Sequence, residues 1–195
     1  MKSVARIVAN IGLLLLIAGC VSMQQMQNGM DEIDSFWGEV NQGIISSGGS
    51  RLYSVEVTEC WNAAKKTATQ LGFTLTEESI NSILTARALT PTPFTADEYK
   101  AIREIEEPMM QAIAANHVGK FYSSFYTLDD GGKFYVTINI QITPEAEDKS
   151  LVRVSFRIDP KEDIKGFLYG HNPPPESVRK GLEKWWKAFE SNLGI

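Results

Sequence analysis

Histidine and cysteine are scarce in this chain, which has two of each among 195 residues. His117 and His171 stand alone, with no H-x-x-x-H pair and no Cys/His cluster around either, so a zinc site of the usual ligand spacing is not expected. Gly-x-Ser-x-Gly, Walker-type and dinucleotide-binding glycine patterns are absent, and no serine has a sequence-readable base. These gaps point away from an enzyme and from a bound cofactor. A basic block is missing as well: 19 Lys and Arg against 24 Asp and Glu leave a net charge of −5, which argues against nucleic acid. No internal repeat is present. The one long apolar run, Ile7 to Gly19, is interrupted only by Asn10 and is shorter than the about 20 residues that cross a bilayer.

That run has the length of a signal-peptide core. Lys2 and Arg6 precede it, and the small residues Ala18 and Gly19 end it before Cys20. Leu16-Ile17-Ala18-Gly19-Cys20 resembles the lipobox of bacterial lipoprotein precursors. The resemblance implies diacylglyceryl transfer to the Cys20 sulfur, cleavage after Gly19 and, in a Gram-negative cell, acylation of the new amine. Val21 and Ser22 follow in place of the aspartate that retains such proteins in the inner membrane, so the family rule points to the periplasmic face of the outer membrane. Several acyl chains on one residue make a stable anchor where a single chain holds only marginally. Loss of residues 1–19 removes two cations and leaves 17 basic groups against 24 acidic ones, a net charge of −7. Such a chain is repelled by anionic headgroups, and the lipid does the anchoring. Cys60 then has no disulfide partner, and its place in an apolar helical pattern makes it a buried, inert thiol.

Residues 20–50 read first as a lipidated tether, ending in the flexible "SSGGS". Yet Met23, Met26, Met30, Ile33, Trp37, Val40 and Ile44 follow a 3,4 spacing, while Gly29, Gly38 and Gly43 each weaken a helix by about 1 kcal/mol. Three readings stand: a loose tether, a helix over Met30–Ile44 docked on its own domain, or one docked on a partner or membrane. The globular domain spans 51–195. A strand at Leu52–Val55 leads to a helix with Cys60, Trp61, Ala64, Ala68 and Leu71 at helical spacing, closed by Gly72. "FTLTEE" and "ILTARALT" form a hairpin around Asn81 and Ser82. Thr95 and Glu98 are a capping box opening a helix to about Glu106, and Pro108 opens another to about Asn116.

"KFYSSFYTL", "DDGG" and "KFYVTINIQIT" then read as a strand, a turn and a strand. Phe134, Val136, Ile138, Ile140 and Ile142 share one face of that last strand, and "LVRVSFRID" alternates in the same way. Such alternation predicts an antiparallel sheet with one covered and one wet face. A final helix carries Val178, Leu182, Trp185, Trp186, Phe189 and Leu193, with Trp185 in the core and Trp186 at its rim. The fold class is α+β: an antiparallel sheet of about five to six strands, two long amphipathic helices on one face, and a helical insertion. The wet face offers the candidate partner-binding residues Tyr135, Asn139, Gln141, Arg153 and Arg157, joined by Tyr122 and Tyr126 from the preceding strand. Asp159, Glu162 and Asp163 could meet a cation, but no calcium-loop spacing follows them.

This element order resembles the folds that lay two helices across one antiparallel sheet, with the helix-grip domains of BamC-type lipoproteins as an envelope example. BamC-type proteins are accessory parts of the outer-membrane β-barrel assembly machinery. The resemblance is topological, spans roughly 51–193, and transfers no functional residue. The anchor, the absent catalytic motifs and the aromatic-arginine sheet face together point to a non-catalytic, lipid-anchored module that binds an envelope protein. The alternative is a periplasmic carrier of a small ligand, with Phe94, Tyr99, Met109 and Met110 lining a pocket between sheet and insertion. A hydrolase with dispersed catalytic residues stands last.

Overall fold

Alternating side chains in the C-terminal half build the centre of the sheet. In the computed structural model, which describes residues 21–79, 83–161 and 170–195, β4 (Phe134–Ala146) and β5 (Lys149–Pro160) pair antiparallel along almost their whole length. Their register sets Ile138 against Phe156, Ile140 against Val154 and Ile142 against Val152 on the covered face. The sheet is completed by β1 (Ser50–Tyr53), β2 (Thr74–Ser79) and β3 (Ile83–Leu89), in the order β1-β5-β4-β3-β2, antiparallel throughout. Four helices accompany these five strands among the described residues: α1 (Met23–Gly48), α2 (Val57–Gln70), α3 (Ala96–Ser123) and α4 (Pro175–Leu193). The architecture is α+β, as the sequence implies. The lipobox with Cys20, the Asn81–Ser82 turn, and Glu162 and Asp163 lie outside the described residues.

Two helices cover the apolar face of the sheet. α2 approaches closely because its inner stripe is small: Cys60, Ala63, Ala64, Thr67 and Ala68 are all buried. Burial pushes the Cys60 thiol up and keeps it protonated. α4 brings bulk instead, with Trp185 stacked on Phe189 at 6.2 Å and both inaccessible. Trp186, expected at the rim, is also buried. The end of α1 and strand β1 cover its flank: its indole donates to the Gly48 carbonyl at 2.7 Å, and the Arg51 guanidinium lies 4.9 Å above its ring.

The segment before the domain is a 26-residue helix packed against the rest of the chain. Ser22 starts α1 with a capping box, its hydroxyl accepting from Gln25 N and its own N–H donating to Gln25 Oε1. Ile33, Trp37 and Asn41 form the buried stripe, so Asn41 takes the inward place that a strict heptad gives to Val40. The Asn41 amide donates to Pro173 O at 2.8 Å, and Asn172 donates both to the Asp34 carboxylate and to its carbonyl. Gly29 lets α1 come close: a Cβ there would stand 3.1 Å from the Tyr126 hydroxyl.

α3 crosses α1 to form a second core of Ile33, Trp37, Met110, Ala114, Val118 and Tyr126. One helix runs through Pro108 where two were expected. Ile102, Glu106, Met110, Ala114 and Val118 recur every fourth residue on its buried side, and that stripe outweighs the one donor proline removes. The true break is Gly119, at φ 77 and ψ 162, a conformation closed to side-chain-bearing residues. A strand was expected over 120–128, but α3 extends to Ser123 and no strand follows it before β4. β3 and β5 already flank β4 on both edges, so no pairing site remains for those aromatics.

Candidate functional site

The covered face is longer than its cover. β4 has 13 residues, or about 43 Å of strand, while the 14 residues of α2 reach about 21 Å. α2 and the middle of α4 close over the Ile140, Ile142, Val152 and Val154 end. The other end, with Phe134, Val136, Phe156 and Ile158, faces the α1–α3 pair across a gap. The gap is a cavity of about 310 Å³.

Each wall comes from a different element. Val136, Phe156 and Ile158 form the floor, and Val178 and Gly181 of α4 form one side. Met26, Met30 and Trp37 of α1, with Met110 and Tyr99 of α3, form the opposite side. Thioether side chains suit such a wall, because methionine adapts its shape to what it meets. The Thr90–Phe94 loop closes a third side, and it is pinned from outside. Lys184 donates to Pro93 O at 3.1 Å and to Glu98 at 2.6 Å, with its ammonium 5.4 Å over the Phe94 ring. That ammonium, with the Thr95 backbone N–H, pulls the Glu98 carboxyl down to about 2.

The polar groups in the walls are mostly engaged already. Ser177 donates to Pro174 O at 2.6 Å, Thr90 Oγ1 to Phe134 O at 3.3 Å, and Tyr126 Oη to Met26 O at 3.0 Å. Asp129 Oδ2 accepts from Lys133 N at 3.0 Å and holds the turn that follows. Burial, aided by the Asp129 charge, pushes the Tyr99 hydroxyl up to about 12. The Trp37 indole N–H is buried without a hydrogen-bond partner among the described residues, and Asp129 Oδ1, also buried, lies 3.2 Å from the Lys133 ammonium. The site is thus largely apolar, with a few polar groups at its edges, the pattern of a ligand cavity.

No family model, curated protein or solved structure matches this chain.

Phe94, Tyr99 and Met110 line the cavity, whereas Met109 points out and is exposed. Tyr122 and Tyr126 leave the set expected on the wet sheet face. They follow or end α3 and line the cavity on the covered side. The other five do share the open face, in register: Gln141 opposite Arg153, Asn139 opposite Ser155, and Tyr135 opposite Asp159. Three of them already have partners. Arg87 stacks 3.8 Å over Tyr135, Thr85 donates to Asn139 at 3.2 Å, and Arg157 pairs with Asp159 at 2.8 Å. That last pair occupies the carboxylate considered for a cation, and no metal-binding group of three ligands occurs among the described residues. His117 pairs with Glu32 at 2.5 Å across the α1–α3 contact, while His171 lies 3.9 Å from Asp159.

Trp37, Met26, Met30, Val136 and Phe156 were missed as liners. Each sits in an apolar stripe indistinguishable from core in the sequence. A signal did exist in the methionines: Met26, Met30 and Met110 cluster on facing helices, where a closely packed core uses branched side chains.

Proposed function

We propose that this chain is a lipid-anchored envelope protein whose domain holds an apolar small molecule in the cavity between sheet, α4 and the α1–α3 pair. The observation that carries the reading is the cavity itself. A gap of about 310 Å³ with aliphatic, thioether and aromatic walls stands between two otherwise closed cores. Protein interiors seldom leave such space without use. Its size falls at the lower end of ligand pockets, about 300–1,000 Å³. The walls suit a hydrocarbon chain or a small ring system. The anchor on Cys20 and the periplasmic face of the outer membrane enter this reading from the lipobox resemblance. An envelope protein partner on the open sheet face is the lesser reading, because most candidate residues there are paired within the face.

The test is a fluorescence titration with an environment-sensitive naphthylamine probe, comparing the protein with Val136→Phe. The larger ring fills the floor, where Val136 is half-buried and lines the cavity. Probe enhancement that saturates for the parent and weakens at least about tenfold in Val136→Phe supports the reading. Equal binding by both, or none by either, removes it.

A further inference from the structure

An exposed aromatic cluster sits at the cavity mouth, just beyond the α3 residues that meet the start of α1. Beyond the Gly119 break, Phe121 packs edge-on to Tyr122 at 5.3 Å and to Phe125 at 5.7 Å. Packing against one another leaves them largely in water: Phe121 is 72% exposed and Phe125 68%. Tyr122 and Phe125 also line the cavity, so the cavity reaches the surface between them, while Phe121 stands outside it. Clustered exposed rings of this kind mark an interaction surface.

What they meet follows from the start of α1. Val21, the residue after Cys20 in the sequence, packs into the second core with Val118 and Tyr126. Gln25 donates to His117 O at 3.2 Å, and Tyr126 donates to Met26 O, so the first turn of α1 is tied to the end of α3. The aromatic cluster therefore follows the part of α3 to which the start of α1 is tied.

We propose that Phe121, Tyr122 and Phe125 insert into the leaflet that holds the acyl chains of Cys20, setting the cavity mouth against the bilayer. This rests on the cavity reading above and names its ligand class: a bilayer-resident lipid chain that enters from the leaflet without crossing water. Aromatic rings are at home at that depth, and the contact is apolar, so it persists at high salt.

Phe121→Asp separates the two ideas, because Phe121 touches the leaflet and not the cavity. The mature chain carrying Cys20→Ser, with and without Phe121→Asp, is offered a pyrene-labelled fatty acid. One arm delivers it from cyclodextrin with no membrane present, the other from phosphatidylcholine vesicles. The expected result is unchanged uptake from cyclodextrin and at least about tenfold slower uptake from vesicles for Phe121→Asp, at low and high salt alike. Unchanged cyclodextrin uptake also shows that the variant is folded. In the lipidated protein in vesicles, a dye on Phe121→Cys should emit as if in hydrocarbon, and one on Leu52→Cys, on the open sheet face, as if in water. Cys60 is fully buried and does not compete for the label. Equal vesicle uptake by both forms overturns the leaflet contact and leaves the cavity reading standing. No uptake from cyclodextrin by either form overturns the cavity reading, and the lipid-loading inference with it.

Discussion

Glu106 is a buried carboxyl with structural work to do. α4 begins at Pro175, after Pro173 and Pro174, so its N-cap, Pro174, has no side-chain acceptor to offer. Glu106 reaches over from α3 and accepts the Glu176 N–H at 2.5 Å, while its second oxygen is buried without a partner. Burial raises its pKa above 4.5, and the Glu176 N–H offsets part of that rise. With the folded value above the unfolded one, this group's contribution to stability is complete below pH 4.5 and is lost as pH rises through the raised value. Glu106→Gln keeps the acceptor and drops the charge. Its urea midpoint should exceed the parent's at pH 8 and converge with it near pH 4. Parallel pH profiles would refute the assignment. Glu106→Ala leaves the amide unpaired and should cost about 1–3 kcal/mol at either pH.

Among the elements, those governed by local chemistry were legible. The Thr95–Glu98 box, Gly72 after α2 and the alternation of β4 and β5 all appear where the sequence places them, because caps and alternation depend on near neighbours. The failures lie where another element decides. Residues 120–128 have strand-like aromatics, yet both edges of β4 are taken. Residues 23–48 have four glycines and no partner visible in sequence, yet α3 and the Asn172–Pro173 loop supply one. Gly119 is the hinge on which the aromatic cluster depends. Gly119→Ala forces a side chain into φ 77 and should cost about 1–3 kcal/mol of stability, read in urea. A loss within error of zero would mean that the backbone there relaxes freely. In α1, Gly29→Leu should weaken the helix crossing, since even a Cβ stands 3.1 Å from the Tyr126 hydroxyl. Faster hydrogen exchange over 23–48 would show it, and unchanged exchange would count against a close crossing.

For the whole molecule, the cavity arises from a mismatch between layers that no single segment encodes. The sheet's apolar face was readable, as were the helices that cover it, but a gap left where two cores fail to meet was not. Phe94, Tyr99 and Met110 were legible as a wall because they bracket the insertion. A ligand that fills the gap should stabilise the native state by about 2.7 kcal/mol at a hundred times its dissociation constant. Val136→Phe should show no such shift in its thermal or urea transition, since its own ring takes the space. A shift of equal size in both would place the ligand elsewhere.

The docking of α1 also removes the reach that residues 21–49 would otherwise have. Residues 21–49, fully extended, would span about 100 Å, enough to carry a domain well out into an envelope compartment. Wound into α1 and pinned at both ends by Val21 and Trp186, they add no reach at all. On the lipobox reading, the domain extends only its own width, about 40 Å, from the leaflet. With that reach it would exchange with what arrives at the same leaflet. On that reading it would not bridge to another membrane, and under the proposed lipid loading its cargo would pass to something that comes to it.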